Sequence, residues 1–180
     1  RRAVLAGLAA EPGVRLLGGG VGGKLDVWRR LSARPELAEF LPRTEPYRGP
    51  ASLARWLRRY GAAVLKPQGG MQGKGVTQIR TLAPPAPERY EARGRTFANR
   101  MYALRFAAPG PLLRWVEERL VRGRRFLIQE YLSLHTDDGA PFDIRALVQK
   151  NGEGRWSFTG AAALVGPAGG VTSNLHGGGK

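Results

Sequence analysis

Two lysines, Lys66 and Lys74, accompany four glycines, Gly69, Gly70, Gly73 and Gly75, in the stretch VLKPQGGMQGKGVTQI. These residue types suit a polyphosphate. Glycine lets backbone N–H groups come close to phosphate oxygens, and each ammonium supplies positive charge. The spacing matches neither common nucleotide loop. Gln68 stands where a Walker A loop needs its first glycine, and Gly75 replaces the Ser or Thr after Lys74. Gln78 breaks a kinase-like G-x-G-x-x-G after Gly73 and Gly75. Alone, the stretch reads equally well as a phosphate cradle and as a plain hairpin with a glycine tip.

A second glycine run, LLGGGVGGKLDVW, competes with it. Gly18, Gly23 and Lys24 satisfy G-x-x-x-x-G-K, but Leu25 follows where Ser or Thr must hold magnesium. Gly18, Gly20 and Gly23 also fit G-x-G-x-x-G, in a run so rich in glycine that many patterns fit it. The expectation here is a flexible joint before a helix.

Downstream, Glu130 closes an apolar run in IQEY. FDIR sets Asp143 and Arg145 two residues apart, on one face of a strand. Two readings stand: the charges serve a site, or they pair with each other on a solvated face. TSNLH adds Asn174 and His176 in a glycine-rich setting.

The elements that must position these residues are partly legible. Residues 1–17 read as a short helix and then a connection or strand, and residues 24–41 as one or two helices interrupted at Pro35. PRTEPYRGP reads as a loop. ASLARWLRRYG reads as a helix with Leu53, Trp56, Leu57 and Tyr60 on one face, Ser52 as its cap and Gly61 at its end. AAVLKP reads as a buried strand leading into the glycine loop. Two more strands are expected before a helix with Leu112, Leu113, Val116 and Leu120 on its face. RFLIQEYLSL reads as a strand, and NGEG joins FDIRALVQK to RWSFTGAAALV as a hairpin. Hairpins alternating with single helices indicate an α+β fold.

Composition narrows the function. The chain has 180 residues and no cysteine, which excludes disulfides, thiolate catalysis and cysteine-held zinc. No apolar run approaches the ~18–20 residues that span a bilayer, and no signal peptide is visible, so a soluble, cytoplasmic protein is expected. The net charge is +15. Of the 29 basic residues only five are lysine, and the arginines are scattered. That pattern fits a coding bias toward Arg, Ala, Gly and Pro as well as it fits a nucleic-acid surface, so nucleic acid is not the expected partner. A non-enzymatic basic module for nucleic acid or an anionic envelope or spore polymer is the alternative.

In chain order, Lys66, the glycine loop 69–75, Gln129-Glu130-Tyr131 and Asp143-x-Arg145 resemble the ATP-grasp superfamily. The greatest similarity is to YheC/YheD-type endospore coat-associated ATP-grasp proteins. It rests on FLPRTEPY, VLKPQGGMQGKGV, QEYLSLHTDDGAPFDIRALVQKNGEGRWSFTGAAALV and VTSNLHGGG. SNLHGGG is also similar to ribosomal-protein glutamate ligases of that superfamily.

The resemblance implies an ATP-grasp fold: two α+β subdomains with an adenine slot between them. Residues 1–23 would be an N-terminal remnant and joint. The lid subdomain would span about 50–125, with the hinge and second subdomain from about 126. Lys66 would touch the α- and β-phosphates. Gly73, Lys74 and Gly75 would close over the triphosphate, and the backbone of Gln129, Glu130 and Tyr131 would read the adenine edge. Asp143 would lie near the ribose or phosphate end. Arg145, the catalytic candidate, and Asn174 would face the transferred phosphoryl group or the acceptor. The implied partners are ATP, a carboxylate and a nucleophile. The superfamily holds two Mg²⁺ ions with acidic residues and a late E-x-N motif. Asp137-Asp138 and Glu117-Glu118 do not match it, so metal ligands are expected beyond Lys180, and this stretch alone is expected to be inactive. Spore association follows from the resemblance only.

Overall fold

The computed structural model describes residues 4, 7, 8, 10–14, 22–70, 72–84, 89–168 and 173. Helices α1 (Lys24–Ser32) and α2 (Pro35–Ala38) lead into strand β1 (Thr44–Pro46), helix α3 (Pro50–Tyr60) and strands β2 (Ala62–Pro67), β3 (Thr77–Thr81), β4 (Tyr90–Arg95) and β5 (Met101–Phe106). Helix α4 (Pro109–Trp115) runs on as a π-helical segment, Val116–Val121, before β6 (Phe126–Gln129), β7 (Phe142–Lys150) and β8 (Trp156–Val165). Among the described residues, six strands form one antiparallel sheet in the order β1-β6-β2-β3-β4-β5, and β7 and β8 form a second. The expected α+β class is what the chain adopts.

Helix periodicity and strand alternation together build the core. Leu53, Trp56 and Leu57 of α3, Leu112 of α4, and Val116 and Leu120 of its π-helical continuation bury against Ala63, Leu65, Ile79, Ala92, Phe126 and Ile128. Because β2 turns Ala63 and Leu65 toward the helices, its period of two sends Val64 and Lys66 to the opposite face. That alternation aims Lys66 away from the core.

Several expectations change in detail. PRTEPYRGP is not all loop, since Thr44–Pro46 pairs antiparallel with β6. Its prolines concealed a strand at the sheet edge, where a missing N–H is tolerated. Ser52 is not the cap of α3. Gly49 holds that position, and the Ser52 hydroxyl accepts from Arg48 N–H at 3.1 Å while donating to the Gly49 carbonyl at 2.6 Å. Gly61 does end α3 in the left-handed region, φ 71°. Helix α4 widens into a π turn, which brings Val121 inward beside Val116 and Leu120; all three are buried. The NGEG hairpin forms as expected, with Asn151 Oδ1 accepting from the N–H groups of Glu153 and Arg155, both at 3.0 Å. Most of the expected first helix, Gly18 and Gly20, and both Asn174 and His176 lie outside the described residues.

Candidate functional site

Lys66 leaves the end of β2 on the sheet face opposite the helices. Its ammonium donates to Gln129 Oε1 at 2.5 Å, across to β6. Gln129 Nε2 donates in turn to Thr44 Oγ1 at 2.9 Å, and Thr44 Oγ1 donates to the Pro42 carbonyl at 2.9 Å. One chain of hydrogen bonds thus crosses β2, β6 and β1 and fixes where the ammonium points. Burial holds the Lys66 pKa below its ordinary 10.5, and the charge of Lys24 lowers it further.

Lys24 is the residue that sequence reasoning undervalued. At the start of α1, its ammonium donates to the carbonyls of Pro67 and Gly70, at 3.0 and 2.9 Å. Burial lowers its pKa as well. The available signal is the lysine after Gly23 in the Walker-like match. Two partly desolvated ammoniums therefore converge, one from each glycine stretch.

Both line a cleft of about 370 Å³. Gly73, Gln129, Glu130, Tyr131 and Asp143 line it too, with an apolar wall that includes Val64, Val76, Leu132 and Phe142. A cavity of this size, apolar with a few convergent polar groups, suits a small organic ligand. Its paired cations suit an anionic one.

The expected site residues do not all meet there. Among the described residues, Lys74, Gly75 and Arg145 are not on the cleft wall. Lys74 is half-exposed on the loop. Gly75 is buried at φ 74°, and its N–H donates to the Arg95 carbonyl at 3.0 Å. A Cβ there would lie 2.8 Å from Phe97 Cζ and 2.9 Å from Pro67 Cγ, so packing alone requires this glycine. Arg145 Nε donates to Asp143 Oδ2 at 3.2 Å, on a half-exposed face. Asp143 also accepts from the Ser173 hydroxyl. Glu130 N–H donates to the Arg43 carbonyl at 2.8 Å, and its carboxylate pairs with the Arg43 guanidinium at 3.4 Å.

No group of three or more His, Asp or Glu side chains among the described residues is placed to hold a metal. They form no all-protein metal cage, and the positive charge of the described cleft comes from its lysines.

Residues 13–180 match the family model described as "YheC/D like ATP-grasp". The chain belongs to the YheC/D-like ATP-grasp family. Two curated relatives from Bacillus subtilis (strain 168) are similar to it. "Endospore coat-associated protein YheC" is 25% identical over 175 residues, covering 95% of this chain and 45% of the relative. "Endospore coat-associated protein YheD" is 26% identical over 156 residues, covering 87% of this chain and 33% of the relative. The chain thus spans less than half the length of either relative. Membership in the ATP-grasp family is consistent with the fold, in which a glycine-rich hairpin and a two-stranded sheet meet at one cleft.

Proposed function

We propose that this chain is the ATP-binding part of an ATP-grasp ligase-like protein that activates a carboxylate as an acyl phosphate. The observation that carries this reading is the convergence of Lys24, Lys66, Gly73, Gln129–Tyr131 and Asp143 on one cleft in a chain of this family. In this reading Lys66 and Lys24 neutralise the phosphates. The segment 129–131 contacts the adenine edge, and the apolar wall receives the base. Asp143 faces the ribose or phosphate end. Arg145 and Asn174 serve the transferred phosphoryl group or the acceptor, and Lys74 reaches the triphosphate when the loop closes.

A carboxylate oxygen attacks the γ-phosphorus and ADP leaves with the bridging oxygen. An amine or similar nucleophile then attacks the acyl carbon and phosphate leaves. Positioning and charge neutralisation accomplish most of such a transfer. Magnesium, when bound, would share that neutralisation. The division into a lid subdomain of about 50–125 and a second subdomain from about 126 belongs to this proposal, as does any spore association.

Calorimetric titration of the folded protein with ATP tests it. Binding that Lys66→Ala weakens is expected, and no binding at all would end the reading.

One observation favours a second reading. Strand register places Arg80, Arg93, Arg105 and the buried Arg95 on the sheet face that carries Lys66, together with Glu91, which pairs with Arg80 and Arg105. A polyanion bound there would show steep salt dependence and only a small loss on Lys66→Ala, one charge among several.

A further inference from the structure

The glycine loop is held at two points. At its far end, Gly75 is packed against Phe97 and hydrogen-bonded to Arg95. The Arg124 guanidinium lies 4.4 Å over the Phe97 ring and closes that corner. At its near end the hold comes from Lys24. Its ammonium takes the carbonyls of Pro67 and Gly70, and its backbone N–H reaches Gln68 O at 3.4 Å. An ammonium has three donors. Two serve the loop, while the side chain also forms part of the cleft wall. Lys66, the other cation, is tied to Gln129 on a strand instead.

We propose that Lys24 is a positioning residue that couples anion binding in the cleft to the order of the glycine loop. Two of its N–H groups fix the loop base, and the third meets a phosphate oxygen of a pyrophosphate-class anion. A bound anion holds the ammonium in place and so holds the loop. By reciprocity, a fixed loop raises affinity for the anion. Lys66 adds affinity without this coupling. The proposal rests on the nucleotide reading only for the identity of the anion.

Hydrogen exchange of peptides covering residues 65–76 tests it, in the wild type, Lys24→Met, Lys24→Arg and Lys66→Met. Each is measured without ligand, with pyrophosphate and with ATP. Without ligand, Lys24→Met is expected to exchange on the order of tenfold faster, from the loss of two charge-assisted hydrogen bonds. Lys24→Arg, which can still donate to two carbonyls, restores protection and controls for misfolding. At saturation, either ligand slows exchange in the wild type and Lys66→Met but not in Lys24→Met. Equal ligand-free exchange in the wild type and Lys24→Met overturns the proposal. So does equal slowing by ligand. If calorimetry shows ATP bound while the Lys24→Met loop responds normally, the coupling fails and the nucleotide reading stands. If neither ligand binds the wild type, both fail.

Discussion

Lys66 and Gln129 are diagonal neighbours on β2 and β6, and the glutamine oxygen holds the lysine ammonium at 2.5 Å. A residue valued in the sequence for its backbone is therefore the one whose side chain aims the cleft's most buried cation. Gln129 also donates onward to Thr44, so one amide links three strands beneath the site.

Replacing Gln129 with leucine should cost stability and affinity together. A half-buried ammonium loses its acceptor and Thr44 loses a donor, a loss of about 1–3 kcal/mol. Urea unfolding should show the midpoint fall, and ATP titration should show affinity fall several-fold. An unchanged midpoint would mean that water replaces the amide without penalty.

Lys66 also makes the site sensitive to alkali. Its folded pKa is below 10.5, because burial and the Lys24 charge both disfavour the cation. Between the lowered folded value and 10.5 the unfolded chain binds more protons, so this group's contribution to stability rises with pH across that window. Anion binding runs the other way: it needs the cation and pulls a proton onto it. ATP affinity should fall as pH rises through the lowered pKa, and titrations in buffers of different ionisation enthalpy should report proton uptake. Lys66→Met should flatten that profile.

Three glycines should separate cleanly under substitution by alanine. Gly94 is the most demanding, since a Cβ there would lie 2.3 Å from the Val76 carbonyl oxygen. Gly75 meets Phe97 and Pro67 at positive φ, and a loss of about 1–3 kcal/mol is expected from that strain. Gly69 has nothing within 4 Å, so Gly69→Ala should leave stability nearly unchanged. Denaturation midpoints should rank Gly94→Ala below Gly75→Ala, and both below Gly69→Ala.

Asp143 and Arg145 should not behave as equals. Asp143 lines the cleft, whereas Arg145 stands beside it and pairs with Asp143 in a half-exposed contact. Such a pair contributes about 0–1 kcal/mol to stability. Asp143→Asn should alter ATP affinity more than Arg145→Ala does, while neither should move the melting curve far. A larger affinity loss in Arg145→Ala would restore the arginine to the direct role expected from the sequence.

What the sequence made legible follows from period and punctuation. Leu53, Trp56 and Leu57 announced α3, Gly61 its end, and NGEG the last hairpin, because each signal is local. What it hid depends on partners far along the chain. Thr44–Pro46 became a strand only because β6 lies 80-odd residues later to receive it. The role of Lys24 depends on carbonyls 43 and 46 residues away. Gly75 looked like a phosphate contact, but Phe97 decides its use. Asp143 and Arg145 were rightly placed on one face, though spacing alone did not show which of them reaches the cleft.

The β7–β8 hairpin exposes Ile144, Trp156 and Phe158 at 69%, 70% and 66%. Two molecules meeting through such surfaces would gain by covering them, and the net charge of +15 pushes those molecules apart. Dispersal in solution is then a balance between stickiness and long-range repulsion. Added salt shortens that repulsion to roughly 8 Å at physiological ionic strength, and light scattering should register clustering as salt rises. The arginine content, uninformative about a partner, would thus act as a colloidal stabiliser for an apolar hairpin.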